Sequence, residues 1–515
     1  MNAHIRRTFY LLTLGFVALV GVLAYWQVYA KQSLASDPSN RLQSRKLQEV
    51  PRGLILAGDG QTKLAQSEKQ GDGTYQRAYP EGPLYANIVG YWSSKYGASG
   101  IEISQNNNLS GTGEPETLEQ LINQAKGGPN AGNDVELTVD PELQRIAYDG
   151  LAQSSSGRGS AVAIDPKSGQ ILAMASYPSY DPNNIDQRFE EIQKDPNQPL
   201  VNRATQGLYP PGSTFKVITT AAALKAGVKP SDKFNDTGTY ETPGYTVYNY
   251  KGEKYGNVTF SEAFGYSINA IFAKVAYEYV GAPSLAQTAQ DFGFGDAYKD
   301  FSLPVAPSSL GELPPNQWAQ GLTAQVAFGQ GPTVSNTFEM ALVAATVAND
   351  GTMMEPRVVK EVRSPDGLII DQPSSKVHRQ ALDKSTARTI NTMMQEVVDN
   401  VETSGKISGI KVAGKTGTAE APSKELHSWF IAFAPADDPK IAVAVLVENG
   451  QEGYKQALPI ARRMMEAYLK TSPSSSTSES TTTTSQPAAG SQNAAPQNPS
   501  QPPPQSPSSG QRISG

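Results

Sequence analysis

The chain is 515 residues long, which leaves room for about three domains of ordinary size and a large buried core. Its 43 Lys and Arg against 49 Asp and Glu give a net charge of −6, which argues against a nucleic-acid-binding protein, since such proteins usually carry a basic patch or domain. With 0 Cys and 3 His, disulfides and thiolate chemistry are excluded and a multi-His metal site is not expected, so we predict no metal and no cofactor. A Ser–His–Asp hydrolase would have to use His378 or His427 as its base.

The first predicted element is a membrane anchor. Residues 8–30 carry no charged side chain and are flanked by Arg6 and Arg7 before them and Lys31 after them. A run of this length spans a bilayer as one helix. The alternative is a cleaved signal peptide, whose apolar stretch would be shorter. We predict an uncleaved single-pass anchor preceded by residues 1–7, although the flanking charges do not decide its orientation. The aromatic residues expected at the outer interface are Tyr25, Trp26 and Tyr29.

Two further segments lack the pattern of a catalytic domain. Residues 31–135 are polar and rich in Gly and Asn, with short alternating apolar patches such as 53–56, and we predict a non-catalytic pedestal or linker. Residues 471–515 are mostly Ser, Thr, Pro, Gln, Asn and Gly. Because they have little apolar surface to bury, we predict a disordered tail.

Residues 136–470 combine two predicted hairpins with several predicted helices. Asp140 is a good N-cap, and Pro141 suits the first position of the helix that follows. Because the hairpins lie at both ends and the helices between them, we predict an α+β fold with one antiparallel sheet covered by helices. The predicted strands are 160–164, 170–176, 427–434 and 440–447, and the predicted helices are 141–150, 213–226, 337–348, 385–398 and 457–469.

The first candidate catalytic pair is Ser213 and Lys216, at the start of the predicted helix 213–226. Positions three apart share one helix face, so the hydroxyl and the amine can meet. A neutral lysine can take the serine proton if burial or a nearby cation lowers its pKa, and the helix N-terminus favours the negative charge of an acyl-transfer oxyanion. The pattern alone is weak, because Ser408 and Lys411 repeat it where no apolar helix begins.

Two further motifs follow along the chain. Ser267 and Asn269 place a hydroxyl and an amide two residues apart, a pair that can relay a proton and hold a substrate amide. Residues 415–418, Lys-Thr-Gly-Thr, offer a cation, two hydroxyls and a glycine that allows close backbone approach. A strand of this kind can bind an extended peptide along its edge and attract its carboxylate. Taken alone, the first of these motifs also fits a helix cap or a turn.

The three motifs in this order form the signature of the serine penicillin-recognising enzymes. Within that superfamily the chain resembles the class B penicillin-binding proteins, which are peptidoglycan D,D-transpeptidases, and most of all their actinobacterial members. The resemblance covers most of the chain. Besides the anchor, the matching segments are 161–166, 176–182, 202–204, 209–216, 415–420 and 431–435.

The resemblance implies a penicillin-binding transpeptidase fold for residues 136–470, with a five-stranded antiparallel sheet flanked by helices, on an elongated pedestal formed by 31–135. It implies a monofunctional enzyme that cross-links stem pentapeptides ending in D-Ala-D-Ala and is covalently inhibited by β-lactams. Because that substrate lies outside the cell, residues 1–7 are expected in the cytoplasm and the catalytic domain outside. It also suggests a membrane glycosyltransferase of the shape, elongation and division type as a partner in cell-wall synthesis.

The resemblance further implies roles for the motif residues. Ser213 attacks the penultimate D-Ala carbonyl and releases the terminal D-Ala, Lys216 is the general base, and Ser267 relays the proton to the leaving amine. The backbone N–H groups of Ser213 and Thr418 form the oxyanion hole. The residues expected to bind substrate are Asn269, Lys415, Thr416, Gly417 and Thr418.

Three alternatives stay open at this point. An anchored class D-like β-lactamase or β-lactam sensor is one, because Tyr255, Gly256 and Asn257 match a motif of that class, although they precede Ser267. A D,D-carboxypeptidase uses the same residues with water as the acceptor. A non-catalytic division scaffold is the third, and the complete motif set argues against it.

Overall fold

The computed structural model of the chain describes residues 3–25, 49–111, 117–125, 130–420 and 425–471. The predicted tail lies outside the described residues except for Thr471, and so do Trp26 and Tyr29 of the predicted anchor. The α-helices are α1 (Ala3–Ala24), α2 (Ala86–Val89), α3 (Gly100–Ser104), α4 (Asn106–Leu109), α5 (Leu118–Ala125), α6 (Pro141–Ala152), α7 (Ile185–Lys194), α8 (Lys216–Lys225), α9 (Phe260–Gly265), α10 (Asn269–Val275), α11 (Ala282–Asp291), α12 (Gln320–Val326), α13 (Thr337–Ala348), α14 (Lys384–Glu396) and α15 (Ala457–Thr471).

The strands alternate with these helices along most of the chain. They are β1 (Ile55–Leu56), β2 (Lys63–Lys69), β3 (Tyr75–Ala78), β4 (Trp92–Ser93), β5 (Gly97–Ala98), β6 (Asp134–Leu137), β7 (Gly159–Ile164), β8 (Ile171–Tyr177), β9 (Lys233–Asp236), β10 (Thr239–Thr242), β11 (Tyr245–Tyr248), β12 (Gly256–Thr259), β13 (Thr352–Met354), β14 (Val359–Arg363), β15 (Ile369–Asp371), β16 (Val377–Gln380), β17 (Ala413–Glu420), β18 (Leu426–Ala434) and β19 (Ile441–Val447).

Helix α1 contains the apolar segment predicted as a membrane anchor. Its segment Arg6–Leu23 has a mean hydropathy of 1.5, and none of that segment is buried against other parts of the protein. Among the described residues, this is the helix that is long and apolar enough to cross a bilayer. The helix begins before residue 8 because arginine is a good helix former even where it is too polar for lipid. The N-terminal segment therefore fits a membrane anchor.

Strands of the predicted pedestal form part of a six-stranded sheet with the strand order β15-β14-β6-β1-β2-β3. Strand β1 pairs antiparallel with β2 and parallel with β6, and β14 pairs antiparallel with β6. Strands β14 and β15, which come late in the chain, thus complete a sheet that begins at Ile55. The predicted boundary at residue 135 falls inside β6, because this strand joins the early and the late parts of the sheet.

An ionic cluster lies in the interior of the pedestal. The carboxylate of Glu102, on α3, is fully buried and accepts hydrogen bonds from Arg52 Nη2 at 2.9 Å and from Arg77 Nε at 2.6 Å. Burial alone would raise the pKa of Glu102, but the two guanidinium groups together lower it below its ordinary value. The cluster therefore holds Glu102 ionised, and it links the segment before β1 to β3 and to α3.

The catalytic region is organised around a five-stranded sheet with the order β17-β18-β19-β7-β8, in which every neighbouring pair is antiparallel. All residues of β7 and β19 are buried, so these strands read in the sequence as continuous apolar runs. Val443 and Val445 pack with α6 and α15, whereas Ala442 and Ala444 pack with α13 on the opposite face. The predicted antiparallel sheet flanked by helices is confirmed.

Most predicted elements of this region have the predicted type. The Asp140 side chain accepts a hydrogen bond from Leu143 N at 2.9 Å and caps α6, as expected. Helix α13 has the predicted bounds, whereas α14 ends at Glu396, before the predicted residue 398, because a π-helical turn, Val397–Val401, follows it. The short pairs β9-β12 and β10-β11 lie between α8 and α9, and β11 contributes Tyr245 and Tyr248 to the cleft described below.

Candidate active site

Ser213 lies in a 3₁₀ turn, Gly212–Phe215, that leads directly into α8. The predicted helix 213–226 therefore begins as a tighter turn and becomes α-helical only at Lys216. Gly212 has a φ of 53°, and a Cβ at this position would lie 2.6 Å from the carbonyl oxygen of Thr418. Only glycine therefore allows β17 to approach the turn this closely, and this contact brings Ser213 next to the Lys-Thr-Gly strand.

The amine of Lys216 is fully buried and surrounded by four oxygens. Its Nζ lies 2.6 Å from the carbonyl oxygen of Ser267 and 2.7 Å from Asn269 Oδ1. It also lies 3.1 Å from Ser213 Oγ and 3.1 Å from Ser267 Oγ. Two of the three predicted motifs thus meet at one nitrogen.

The environment of Lys216 favours its neutral form. Burial lowers its pKa well below the ordinary value, and the positive charge of Lys415 lowers it further. A neutral amine has two N–H donors and one lone pair. The two carbonyl-type oxygens, of Ser267 and Asn269, can only accept, so they take both N–H groups and leave the lone pair to accept the Ser213 or Ser267 hydroxyl proton. The geometry therefore suits proton abstraction from Ser213.

Ser267 contacts Lys216 because its backbone adopts an uncommon conformation. It lies in the turn between α9 and α10 with a φ of 61°, in the left-handed region that costs a non-glycine residue about 1–2 kcal/mol. This conformation directs both its carbonyl oxygen and its hydroxyl towards Lys216. Asn269 follows as the first residue of α10, and its Nδ2 donates to Tyr248 O at 3.2 Å, which fixes the amide so that Oδ1 faces the lysine.

The third motif lies on β17, an edge strand of the five-stranded sheet. Lys415 is fully buried, its Nζ donates to Thr416 O at 3.1 Å, and it lies 5.8 Å from the centre of the Phe264 ring. Burial lowers the pKa of Lys415 to about 8, and the charge of Glu402 opposes this shift. Gly417 permits close packing, because a Cβ there would lie 2.9 Å from Thr214 Cγ2. The strand therefore lies directly against the turn that carries Ser213.

A cleft of about 770 Å³ lies over these residues. Ser213, Ser267, Asn269, Thr416 and Thr418 line it, whereas the two motif lysines, at positions 216 and 415, are buried beneath its surface. The structure thus brings the eight predicted site residues together. Residues outside the three motifs also line the cleft, and they include Tyr245, Tyr248, Tyr250, Tyr255, Tyr266, Phe328, Glu402, Glu420, Glu452 and Tyr454.

The second S-x-x-K match and the histidines lie elsewhere. Ser408 does not line the cleft. His378 contacts Asp296 at 3.2 Å, and His427 Nδ1 accepts from Asn449 N at 3.2 Å. Neither histidine lines the cleft, so neither contacts the Ser213 pair.

Sequence reasoning missed two groups of cleft residues. The density of tyrosine between residues 240 and 255 was a signal for the aromatic group, since such rings are favoured where one end is apolar and the other is wet. Glu402 carried no signal, because it belongs to no motif. In the structure its Oε1 accepts a hydrogen bond from Thr416 Oγ1 at 2.9 Å, inside the predicted carboxylate-binding motif.

Comparison with known families agrees with this geometry. Residues 159–466 match the penicillin binding protein transpeptidase domain, and residues 52–135 match the penicillin binding protein A dimerisation domain. The chain belongs to the penicillin-binding protein transpeptidase family, and within it to the class B penicillin-binding proteins. The resemblance drawn from the sequence motifs is thereby confirmed.

Relatives and solved structures match over nearly their whole length. The peptidoglycan D,D-transpeptidase PbpA of Mycolicibacterium smegmatis is 35% identical over 494 residues, covering 91% of this chain and 99% of the relative. PbpA of Mycobacterium tuberculosis is 34% identical over 497 residues, covering 92% and 100%. The crystal structure of penicillin-binding protein A from M. tuberculosis matches 82% of this chain and 100% of its own with a TM-score of 0.77, and its penicillin G acyl-enzyme complex with 0.76. These matches favour a transpeptidase over the β-lactamase and scaffold alternatives.

Proposed function

We propose that this protein is a membrane-anchored, monofunctional peptidoglycan D,D-transpeptidase with Ser213 as its nucleophile. The family membership supports this activity. Two relatives named peptidoglycan D,D-transpeptidase, which match over nearly their full length, support it as well. The observation that carries the assignment of Ser213 is the position of Lys216 Nζ, 3.1 Å from Ser213 Oγ, with both of its N–H groups taken by acceptor oxygens. This arrangement leaves the lone pair free to accept the serine proton.

In the acylation step, Ser213 Oγ attacks the carbonyl carbon of the penultimate D-Ala, and the Lys216 lone pair takes the hydroxyl proton. The backbone N–H groups of Ser213 and Thr418 stabilise the oxyanion, with each donor worth about 3–4 kcal/mol. The C–N bond to the terminal D-Ala then breaks. Ser267 delivers the proton from the lysine to the departing amine, since its hydroxyl lies 3.1 Å from Lys216 Nζ. The products are an ester on Ser213 and free D-Ala.

Substrate recognition uses the rest of the predicted set. The terminal carboxylate of the donor binds near Lys415, whose charge attracts it, and the hydroxyls of Thr416 and Thr418 donate to it. Gly417 keeps the strand close enough for backbone hydrogen bonds to the peptide. Asn269 stands at the cleft surface, where its amide can contact a substrate amide.

The second step transfers the acyl group to an amine. The amine of a neighbouring stem peptide attacks the ester carbonyl, the C–O bond to Ser213 breaks, and the proton returns to the serine oxygen. A β-lactam resembles D-Ala-D-Ala, and after it opens on Ser213 no leaving group departs, so the ester persists. The penicillin G, ceftriaxone and imipenem acyl-enzyme complexes of the M. tuberculosis relative support this expectation.

We assign residues 1–7 to the cytoplasm, residues 8–30 to the membrane, and the remaining chain to the outside, because the peptidoglycan substrate lies there. The pedestal is taken as 31–135 and the transpeptidase domain as 136–470, which is supported by the family matches at 52–135 and 159–466. Because transpeptidation cross-links stem peptides and does not polymerise glycan, a membrane glycosyltransferase of the shape, elongation and division type is the expected partner.

Covalent labelling tests the proposal. Full-length protein in detergent is incubated with fluorescent penicillin, digested, and the modified peptide is identified by mass spectrometry. We expect the label on Ser213, its loss in Ser213→Ala, and its retention in the matched control Ser408→Ala, which alters the chance S-x-x-K match. A donor stem peptide with an acceptor amine should then give a cross-linked dimer. Absence of an adduct, or an adduct away from Ser213, would overturn the assignment.

A further inference from the structure

A carboxylate of the protein itself lies within the predicted carboxylate-binding motif. Glu402 is half-buried, lines the cleft, and connects the π-helical turn Val397–Val401 to a 3₁₀ turn, Thr403–Gly405. Both turns fix its backbone, since Glu402 N donates to Val397 O at 2.7 Å and Gly405 N donates to Glu402 O at 2.8 Å. Its side chain accepts the hydrogen bond from Thr416 Oγ1 at 2.9 Å.

This contact commits the hydroxyl of Thr416. An ionised carboxylate can only accept hydrogen bonds, so the single hydroxyl proton of Thr416 is directed at Glu402. The same proton cannot be donated at the same time to a substrate carboxylate. Binding of an anionic donor through Thr416 therefore requires Glu402 to release this hydroxyl.

The charged surroundings of Lys415 make Glu402 important in a second way. Lys216 on α8 is held in its neutral form and adds no charge, Phe264 on α9 presents an aromatic ring, and the register partner of Lys415 on β18 is the apolar Ile431. Among the described residues, no carboxylate oxygen lies within 4.0 Å of Lys415 Nζ. Glu402 is the acid whose charge favours the protonated form of this lysine against the effect of burial.

We propose that Glu402 is a positioning residue of the Lys-Thr-Gly strand: its carboxylate holds the Thr416 hydroxyl until the carboxylate of the donor replaces it, and its charge acts on Lys415 from beyond ion-pair distance. The role rests on the proposed function, because it concerns recognition of the donor by the same site. As a consequence, Glu402 affects the pH above which acylation by donors that carry a carboxylate declines. Acylation by donors without a carboxylate should not depend on Glu402.

The sign of the pH effect follows from the charges. Lys415 is cationic below its pKa of about 8, so attraction of an anionic donor is lost as the pH rises through that value. Removing the charge of Glu402 leaves burial unopposed and lowers the pKa of Lys415 further. The loss then begins at a lower pH, and a shift of about one pH unit corresponds to about tenfold in rate above both values.

The experiment compares acylation of full-length protein in detergent at pH 6.5 and pH 9 by two probes. Penicillin G carries the carboxylate, and penicillin G methyl ester lacks it. Glu402→Gln removes the charge but keeps a hydrogen-bond acceptor for Thr416, and Glu402→Asp restores the charge. Glu396→Gln is the matched control, because Glu396 ends α14 six positions earlier and also accepts from a hydroxyl, that of Ser261, but does not line the cleft.

We expect Glu402→Gln to lower the ratio of the penicillin G acylation rate at pH 9 to that at pH 6.5 by more than about twofold, since loss of its charge lowers the pKa of Lys415. The ratio for the methyl ester should stay within about twofold, Glu402→Asp should restore most of the wild-type ratio, and Glu396→Gln should match the wild type. Acylation at pH 6.5 also reports whether each variant is folded.

Two results would overturn the inference. One is an unchanged ratio for penicillin G in Glu402→Gln, and the other is an equal loss with both probes, which would indicate a purely structural hydrogen bond. Either result is distinct from failure of the proposed function, in which wild-type protein would not be acylated on Ser213 at any pH.

Discussion

The pedestal and the active site each bury more than one charged side chain, but they treat these charges in opposite ways. In the pedestal, the carboxylate of Glu102 lies between the guanidinium groups of Arg52 and Arg77 at 2.9 and 2.6 Å. In the active site, among the described residues, neither Lys216 nor Lys415 has a carboxylate oxygen within 4.0 Å of its amine. Both regions exclude water from these groups almost completely.

The difference separates a structural cluster from the cluster that we propose to be reactive. Pairing lowers the pKa of Glu102 despite burial, so its charge is retained and holds three segments of the pedestal together. Without a carboxylate partner, burial instead lowers the pKa of Lys216 well below its ordinary value, and the lone pair of its neutral amine becomes available to accept a proton. In these two clusters, the amines without a carboxylate at ion-pair distance belong to the proposed catalytic site, whereas the carboxylate with two guanidinium partners stabilises the pedestal.

The largest effect is expected at the unpaired lysine. Lys216→Met keeps the apolar stem but removes the proposed base, so the second-order rate of acylation by penicillin should fall about 10³-fold. Stopped-flow or gel-based labelling of full-length protein gives this rate. Lys411→Met, in the chance S-x-x-K match, is the control and should react like the wild type. A loss smaller than tenfold in Lys216→Met would mean that another group takes the serine proton.

The next effect concerns the paired cluster. Glu102→Gln leaves two buried guanidinium groups without a counter-ion, and we expect the free energy of unfolding to fall by about 3–5 kcal/mol. Urea denaturation followed by circular dichroism measures it. Glu81→Gln is a suitable control, because its partner Arg145 is largely exposed.

A combined variant sharpens this prediction. Replacing Arg52, Arg77 and Glu102 together by Met removes all three charges, so the loss should be smaller than that of Glu102→Gln alone. A larger loss in the triple variant would show that the shape of the cluster, and not the unpaired charge, carries the stability. Acylation of Ser213 in the variant that remains folded should be unchanged.

Local signals explain how much of the fold the sequence predicted. The apolar runs of β18 and β19, the Asp140 cap and the helix Thr337–Ala348 each depend on neighbouring residues, and each was predicted correctly in type. The pairing of β6 with β14 depends on residues far apart in the chain, and no local pattern indicates it. The boundary drawn at residue 135 therefore crosses a strand.

The same distinction applies to the site. Ser213 and Lys216 are three positions apart on one turn, so their proximity follows from helix geometry. Their approach to Ser267 and to Thr418 was inferred from the motif order of a family and not from geometry. Glu402 belongs to no motif, and its contact with Thr416 arises only when the turn after α14 packs against β17. This contact depends on tertiary packing, which cannot be read from a single sequence.

The smallest effect is expected at an ion pair that is partly exposed to solvent. Lys225 Nζ lies 2.9 Å from Asp291 Oδ2, but the two side chains are 36% and 31% exposed. Water and salt screen such a pair, so Asp291→Asn should lower the free energy of unfolding by less than about 1 kcal/mol. Because the Debye length falls to about 3 Å at 1 M salt, the difference from wild type should shrink further in 1 M NaCl. Urea denaturation at low and high salt measures both values. A loss as large as that of Glu102→Gln, or one that salt does not reduce, would mean that burial is not what separates the strong ion pairs of this protein from the weak ones.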